Sequence, residues 1–494
     1  MTRTQLEVER VFSPGPDVPV PDLTRAGPVV GVDPVGEVEL DATYHDTPGL
    51  TLIRAGVTLR RREGGPDEGW HLKLPVGAPD ARRELHVPLR EAPDPVPDEL
   101  LDLVDGWTRG IAVAPVARIR THRTTYHLVG PEGEVLAELA DDRVTGRAAQ
   151  LDAQDVTWRE WEVELVDGDR ELLDVVEAVL AAHDVHRSAV TRKVAVVLGL
   201  PTGAHDVAPA LTRKGPARLL LRHWLETQVH EIARLDPVVR RGGAGGVHGV
   251  RKACRRLRAA LATYRALADR ERTEPVREEL RWLARSLGQL RDDEVVRDRI
   301  ARQLAREELF GEPALRLLEE YAAGRAAEGR VDVAEVLTST RYHALRTALD
   351  DLVARPPWTG AADGRARDVL PARLAREWRR TRRRRRDGAD VHEVRRAVKR
   401  LRYALELVEP AWDDRARQPR RAARGVTRVL GDHQDSVVAR QWLHALAAEA
   451  ARTGVPSFAL GRQHALEEQR EREALAEAGA AWAVLARAVS RWAR

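Results

Sequence analysis

The chain has 494 residues, enough for two or three domains, and 43% of them are hydrophobic, so a substantial core is expected. The single cysteine, Cys254, excludes a disulfide framework and favours a reducing cytoplasm, and no segment approaches the roughly 18 consecutive apolar residues of a membrane span. The net charge of +4 conceals an asymmetry: residues 1–200 have a net charge of −14, and residues 201–494 have a net charge of +18. The two parts are therefore expected to contact different ligands, or one ligand in different ways.

The first 200 residues predict mostly β structure with one helix at about 169–182. Short segments of alternating apolar and polar residues are separated by Pro, Gly and Asp clusters, which is typical of a barrel or sandwich. The predicted strands are Gln5–Phe12, Thr51–Arg62, Trp70–Leu74, Arg83–Leu89, Arg118–Leu128, Val135–Leu139 and Thr157–Val166.

Charged pairs alternate along several of these strands. Glu7 and Glu9 share one strand face, as do Glu162 and Glu164 near the end of the β region, and a strand between them aligns Arg60 with Arg62. Exposed strand faces often look like this. Inside a barrel, however, such pairs would form a charged lumen, which is costly unless it holds ligand, water and metal.

The order of these motifs resembles the CYTH family, the triphosphate tunnel metalloenzymes, over about residues 3–199. The resemblance implies an eight-stranded antiparallel tunnel that hydrolyses a triphosphate-containing small molecule or makes cyclic AMP, with Mg²⁺ or Mn²⁺ as cofactor. Arg120 is an alternative to Arg123 because the inward parity of that strand is not fixed, and Glu84 is a further acidic candidate. The implied metal ligands are Glu7, Glu9, Glu138, Glu162 and Glu164, and the implied triphosphate-binding residues are Arg60, Arg62, Lys73, Arg123 and Lys193.

One position departs from the family pattern. The opening motif of the family is Glu-x-Glu-x-Lys, and Val11 stands at the lysine position, while the adjacent Arg10 points to the other face of a regular strand. Loss of one phosphate-binding cation leaves a second interpretation open, a non-catalytic protein with a degenerate tunnel. An adenylyl cyclase is a third, although the sequence shows no adenine pocket.

The region after residue 199 contains a linker and then only helical patterns. Gly199–Pro216 is rich in Gly and Pro, so the predicted domains are 1–199 and 217–494 with a linker at 200–216. The predicted helical stretches are Arg218–Leu235, Val247–Ala268, Glu274–Leu309, Ala314–Gly324, Val369–Arg386, Val391–Val408, Arg417–Ala451 and Ser457–Arg494.

Two of these helices repeat one pattern 144 residues apart, beginning at His248 and His392. At about 100° per residue, each helix has one apolar face and one cationic face, interrupted only by Glu393. A Leu-Gly pair follows each copy about 40 residues later, at Leu287-Gly288 and Leu430-Gly431, which supports internal duplication. A single basic face is usually only solvated, but a duplicated one favours a groove for a polyanion.

The paired motifs resemble the CHAD family over about residues 210–494. The resemblance implies two pseudo-symmetric four-helix bundles that bind inorganic polyphosphate, so the whole chain is expected to be an α+β multidomain protein in the cytoplasm, at polyphosphate granules. Nucleic acid stays an alternative partner, disfavoured because the stripes lack aromatic residues for base stacking. The run Arg379–Arg386 is predicted to lie near a helix end, outside the paired faces. The implied polyphosphate-binding residues are His248, Arg251, Lys252, Arg255, Arg258, His392, Arg395, Arg396, Lys399 and Arg402.

Overall fold

The computed structural model describes residues 3–78, 80–90, 94–150, 153–190, 192–200, 210–328 and 333–492, without the side chains at 289–292, 294, 326–328 and 491. The chain forms two compact units, Met1–Ala208 and Pro209–Arg494. In the described residues, no helix combines the length and the apolar character that crossing a membrane requires.

The first unit is a closed antiparallel barrel of eight strands, as predicted. Strand β1 pairs with both β8 and β5, which closes the order β5-β4-β3-β2-β6-β7-β8-β1, and a short β9 lies beside β1. The strands are β1 (Arg3–Ser13), β2 (Gly31–Asp46), β3 (Thr58–Glu63), β4 (Gly69–Pro75), β5 (Ala81–Pro88), β6 (Ala114–Val129), β7 (Val135–Ala148), β8 (Val156–Leu165) and β9 (His186–Arg187).

Among its described residues, the first unit also contains four short α-helices, which include one on the outer wall of the barrel and one inside an end of it. They are α1 (Thr51–Arg54), α2 (Asp98–Thr108), α3 (Arg170–Ala182) and α4 (Lys193–Val197). The apolar face of α3 packs on the outer barrel wall, where Phe12 and Trp161 are fully buried. In contrast, Val194 of α4 packs with Tyr44 and Val144, which face the barrel interior, so α4 fills one end of the barrel.

Two strand predictions need correction. The 16-residue strand β2 was not predicted, because Gly31, Pro34 and Gly36 interrupt its alternation; pairing along β6, with an irregularity between Pro34 and Gly36, holds it extended. The predicted strand Thr51–Arg62 begins instead with the helical turn α1. The Asp46 carboxylate accepts the amide hydrogens of Leu52 at 3.0 Å and Ile53 at 2.9 Å, which satisfies this turn, and the extended chain starts at Thr58.

The second unit is helical throughout and contains two bundles. One core joins α5, α6, α7 and α11, with α10 beside them, and another joins α12, α13, α14 and α15. The helices are α5 (Ala217–Arg240), α6 (Gly246–Thr263), α7 (Arg270–Ser286), α8 (Gln289–Leu304), α9 (Gly311–Glu328), α10 (Val333–Thr338), α11 (Thr340–Ala354), α12 (Ala366–Arg386), α13 (Val391–Trp412), α14 (Asp414–Thr453) and α15 (Phe458–Trp492).

The two halves of the duplication differ at the repeated Leu-Gly pair. The stretch predicted as one unit, Glu274–Leu309, is broken at Leu287 and Gly288 into α7 and α8. The equivalent Gly431 lies inside the continuous 40-residue helix α14. As a result, α8 and α9 leave the first bundle and pack on α14 and α15 in a separate apolar cluster. Helices α10 and α11 were not predicted.

Candidate functional site

The inner wall of the barrel follows from the alternation along β1. Glu7, Glu9 and Val11 share one face, and cross-strand pairing places Glu9 opposite Glu164 and Val11 opposite Glu162. Residues directly opposite each other in an antiparallel ladder point to the same side of the sheet. These acidic residues therefore share the lumen wall with Val11.

Arg10 lies on the outer face, as its position next to Val11 predicts. Its guanidinium binds Asp80 at 3.1 Å and the α3 residues Asp174 at 2.6 Å and Glu177 at 2.9 Å. Arg10 thus ties the barrel wall to α3 and cannot supply the cation that Val11 lacks.

Buried cations line another part of the lumen. Arg60 donates from Nη1 to the Tyr44 hydroxyl at 3.3 Å, while the Nε atoms of Arg60 and Arg62 are buried with no acceptor among the described residues. Burial, and then the charges of Arg60 and Arg123, lower the pKa of Arg62 to about 9. Guanidiniums that repel one another and keep unused donors form a site that an anion would stabilise.

The structure also shows which side chains of β6 point into the barrel, a question that the sequence left open. Arg123 points inward and binds Asp142 at 2.7 Å and Glu162 at 2.6 Å. Arg120 is exposed on the outer face, where its Nε lies 3.5 Å from Asp41. Arg123 therefore reaches the lumen, and Arg120 does not.

Lys193, the first residue of α4, projects its ammonium into a cluster of three carboxylates. The Nζ atom lies 2.9 Å from Asp142 and 2.6 Å from both Glu160 and Glu162. Their oxygens lie within 4.8 Å of one another, which is close enough to hold a metal ion. Burial alone would raise the pKa of Glu162, but the charges of Lys193 and Arg123 lower it well below its ordinary value. Because Lys193 already compensates this cluster, a divalent ion there would compete with the lysine.

Two of these carboxylates, Asp142 and Glu160, are absent from the sequence-based set. The predicted strand Val135–Leu139 stops before Asp142, although β7 continues to Ala148. Glu160 was visible as the first member of an alternation that continues through Glu162 and Glu164 on β8. Extending the period-two pattern by one step would have found it.

The carboxylates of Glu7, Glu9 and Glu164, on β1 and β8, have fewer neighbouring cations to balance their charge. Lys73 Nζ lies 2.6 Å from Glu7 and 3.7 Å from Glu9, and the described residues place no cation within ion-pair distance of Glu164. Burial raises the pKa of Glu7 to about 7 despite Lys73, and burial with the charge of Glu7 raises the pKa of Glu164 to about 8. The raised pKa values show that nearby cations do not fully compensate the ionised form of Glu7 and Glu164, and a hard divalent cation would stabilise it, so Glu7, Glu9 and Glu164 fit Mg²⁺ or Mn²⁺.

The remaining acidic candidates differ in environment. Glu84 accepts from His71 Nδ1 at 3.0 Å, and this bond together with the charge of Lys73 outweighs burial and lowers the pKa of Glu84. Glu138 is partly exposed, and its nearest ionic partner is His127 at 3.8 Å. Arg82, a cation that the sequence did not single out, places Nε 3.9 Å from Glu9.

In the helical unit, α6 and α13 pack against each other and border a basic groove of about 360 Å³. Arg256 of α6 binds Glu406 of α13 at 2.7 Å, and the Tyr264 hydroxyl donates to the Ala404 carbonyl at 2.9 Å. The groove residues are Arg255, Arg258, Ala259 and Ala262 of α6, Arg277 and Arg281 of α7, Arg384 of α12, and Glu393, Arg396, Lys399, Arg400 and Tyr403 of α13.

Four predicted residues, Arg255, Arg258, Arg396 and Lys399, therefore line one groove. Burial, and then the charges of Arg395 and Arg255, lower the pKa of Lys399 to about 8. Burial is the larger cause, but the further lowering of the lysine pKa by neighbouring cations indicates a surface with more positive charge than its own acids neutralise.

The duplicated Leu-Gly pairs have a structural role that the sequence did not explain. Each glycine faces the equivalent arginine of the basic helix. A Cβ built on Gly288 would lie 3.0 Å from Arg251 Nη2, and one on Gly431 would lie 3.2 Å from Arg395 Nη2. Arg251 also donates to the Gly288 carbonyl at 3.4 Å. The absence of a side chain lets each guanidinium lie against the neighbouring helix.

The other predicted residues lie around the groove rather than in its lining. Lys252 is exposed near Arg256, whose charge lowers its pKa, and Arg402 Nε lies 3.4 Å from Glu406. His248 and His392 are both exposed, and His392 Nδ1 lies 3.3 Å from Gln434 Oε1. Asp292, which follows the first Leu-Gly pair, is among the residues whose side chains are not described.

One prediction about the groove is wrong in part. The run Arg379–Arg386 does end α12, but Arg384 lines the groove beside Arg396 and Arg400. The packing of α12 against α13 brings the helix end to the groove, and Arg400 Nε binds Glu377 of α12 at 2.5 Å.

Comparison with known proteins agrees with both units. The CYTH domain model matches residues 5–195, and the CHAD domain model matches residues 223–444. The chain belongs to the proteins that join a CYTH domain to a CHAD domain. The Uncharacterized protein Rv2226 of Mycobacterium tuberculosis is 34% identical over 518 residues, covering 95% of each chain.

Two further relatives each match one domain. Human thiamine-triphosphatase is 41% identical to the CYTH–CHAD chain over 78 residues, which are 16% of this chain and 30% of the human protein. A crystal structure of the CHAD domain from the plant Ricinus communis covers 56% of this chain and 94% of that domain, with 25% identity and a TM-score of 0.45.

Proposed function

We propose that the CYTH domain hydrolyses a short linear triphosphate with Mg²⁺ or Mn²⁺. One observation carries this proposal: the lumen of the barrel has two chemically different parts. One part holds Glu7, Glu9 and Glu164, whose negative charge is only partly balanced, and the other holds the guanidiniums of Arg60, Arg62 and Arg123, which repel one another. Glu164 has a pKa raised to about 8, and Arg62 has a pKa lowered to about 9 even though Asp67 binds its Nη2, so a metal and a phosphate chain would each supply charge compensation that the neighbouring side chains do not complete.

The roles follow from this separation of charge. Arg60, Arg62 and Arg123 would bind and orient phosphate oxygens, and Glu7, Glu9 and Glu164 would hold the metal. A bound divalent ion would neutralise phosphate oxygens and lower the pKa of a coordinated water. Burial of the cations in the barrel restricts bulk solvent and strengthens their attraction for phosphate.

Phosphate release from inorganic triphosphate, thiamine triphosphate and ATP tests this proposal and identifies the substrate. The partial match to human thiamine-triphosphatase is the reason to include thiamine triphosphate. We expect Glu164→Gln and Arg60→Gln to lose at least about a hundredfold in turnover, the scale of removing one transition-state contact. Glu132→Gln, an exposed residue at the β6–β7 turn, is the matched control.

The competing functions give different outcomes. A folded wild-type protein that binds triphosphate but releases no phosphate with either metal would support a binding-only tunnel. The presence of Val11 at the lysine position of the family motif is the reason to consider this alternative. Conversion of ATP to cyclic AMP, with pyrophosphate as the other product, would indicate an adenylyl cyclase instead.

We also propose that the CHAD domain binds inorganic polyphosphate in the groove between α6 and α13. Support comes from the lining residues Arg255, Arg258 and Arg396, from the lowered pKa of Lys399 beside them, and from the guanidiniums of Arg251 and Arg395, which lie against Gly288 and Gly431 next to the groove. Replacing Arg251, Lys252, Arg395 and Lys399 with Ala should remove most of the affinity and most of the salt dependence, because each phosphate contact displaces a counterion.

A matched control keeps the total charge change the same. Arg222, Arg316, Arg355 and Arg452 are exposed, and each pairs with an acid three or four residues away in the sequence. Replacing these four with Ala should change affinity little. Equal losses in both quadruple variants would show nonspecific charge attraction, and duplex DNA that binds as tightly as polyphosphate would indicate a nucleic-acid partner.

A further inference from the structure

The C-terminal end of α12 carries an arginine run that the proposed groove does not use in full. Between residues 379 and 386 every residue except Thr381 is arginine, and all of these arginines are exposed. Only Arg384 lines the groove. The arginines outside the groove are Arg379, Arg380, Arg382, Arg383, Arg385 and Arg386.

Nearby acids do not neutralise this run. Glu377 is bound by Arg400 at 2.5 Å and lies 3.9 Å from Arg380. Asp387 lies 3.9 Å from Arg383 and 3.2 Å from Arg386. Within the described residues no carboxylate forms an ion pair with Arg379 or Arg384. The two acids thus pair with Arg380, Arg383 and Arg386 and leave the other arginines of the run without an ion pair among the described residues.

Aromatic packing fixes part of the run. The Trp378 and Trp482 rings stack with centroids 5.4 Å apart, and the guanidinium of Arg385 lies 4.5 Å from the centroid of Trp482. Arg382 lies 6.0 Å from the centroid of Trp378. A guanidinium stacked on a ring keeps its N–H edges free for an anion and loses less conformational freedom when it binds one.

These side chains form a second cavity of about 630 Å³. Its lining contains no acid and consists of Arg379, Arg382, Arg383, Arg385, Arg386 and Trp482. Arg384 lies between Arg383 and Arg385 in sequence and points into the groove. At about 1.5 Å of rise per residue, the run spans only about 10 Å along the helix axis. At about 100° of rotation per residue, Arg384 lies nearly opposite the arginines that line the second cavity, so a flexible anion that leaves the groove past Arg384 would reach that cavity around the C-terminal end of α12.

We propose that this arginine run is a second polyphosphate subsite, reached from the groove around the end of α12, that makes affinity depend on chain length. The inference rests on the proposed binding of polyphosphate in the groove. A phosphate chain fits better than single-stranded RNA because Trp378 and Arg385 already contact the ring of Trp482, and the cavity lining includes no other aromatic side chain on which a base could stack. Short chains fill the groove alone, and longer chains also occupy the run.

The test uses the full chain with short and long polyphosphate fractions at several salt concentrations. In the test variant, Arg379, Arg382, Arg383 and Arg386 become Gln, which leaves Arg384 in the groove and Arg385 on its ring. We expect long-chain affinity to fall at least about tenfold and its logarithmic salt slope to fall by about 3, while short-chain affinity changes less than about twofold.

Gln at Arg222, Arg316, Arg355 and Arg452 provides the matched control, with little expected change for either fraction. The double variant R379Q/R386Q should show an intermediate loss of long-chain affinity. It keeps the proposal testable if the quadruple variant does not fold. Unchanged long-chain affinity, or equal losses for both fractions, would overturn the second subsite while leaving the groove in place.

Two further results would also contradict the proposal. Single-stranded RNA of matched charge that binds through the run as tightly as polyphosphate would overturn the ligand assignment. A wild-type protein that binds no polyphosphate would overturn the groove and the subsite together.

Discussion

Replacing Gly431 with alanine should raise the stability of the helical domain and lower its affinity for polyphosphate. Gly431 lies inside α14, so the substitution should stabilise the helix by about 0.5–1 kcal/mol. The new Cβ, however, would lie 3.2 Å from Arg395 Nη2, so the guanidinium would have to move by a few tenths of an ångström. If displacement weakens one charge-assisted contact by about 1 kcal/mol, the affinity falls about fivefold.

Gly425 provides the control because it lies in the same helix, and a Cβ there would meet nothing within 4 Å. Thermal unfolding and polyphosphate titration should be measured for both variants. Gly425→Ala should gain stability and keep its affinity, whereas Gly431→Ala should gain stability and lose affinity. Equal affinities in the two variants would refute the idea that Gly431 seats the guanidinium of Arg395.

Three other predictions concern charge. Val11→Lys should raise turnover of triphosphate by placing a cation in the lumen opposite Glu162, and Val11→Met should not; equal rates would count against a limiting role for Val11. Polyphosphate affinity should fall about tenfold between about pH 7 and about pH 9. The pKa of Lys399 is about 8 in the free protein and rises when the polyanion binds, so affinity is lost as the pH rises above the pKa of the free protein. Lys399→Arg should remove most of this pH dependence, because arginine stays charged over this range. Glu467→Ala should lower the free energy of unfolding by about 3–5 kcal/mol, because this fully buried carboxylate binds Arg299 at 2.6 Å, and unchanged denaturant midpoints would contradict that.

The sequence predicted the lumen face where alternation was strict. On β1, the period of two separates Glu7 and Glu9 from Arg10, and the structure places Arg10 on the outer wall. Alternation could not reveal Lys193 at the carboxylates, since tertiary packing of α4 puts it there. Nor could it extend β7 to Asp142, because the ladder to β6 and β8, rather than local propensity, holds that strand.

In the helical domain, the period of 3.6 residues predicted the two basic helices and their apolar faces. Cys254, which lies on the apolar side of α6, is fully buried. What the pattern could not supply was the approach of one helix to another. The entry of Arg384 into the groove and the contact of Gly431 with Arg395 both depend on helix packing that no single segment encodes.

Metal-dependent phosphate release from inorganic triphosphate tests the central claim most directly. The folded wild-type chain should release phosphate with Mg²⁺ or Mn²⁺, should stop when the metal is chelated, and should lose the activity in Glu164→Gln without losing its fold. Release that continues in Glu164→Gln, or no release by the wild type with either metal, would contradict the assignment of the barrel as a triphosphate-hydrolysing tunnel.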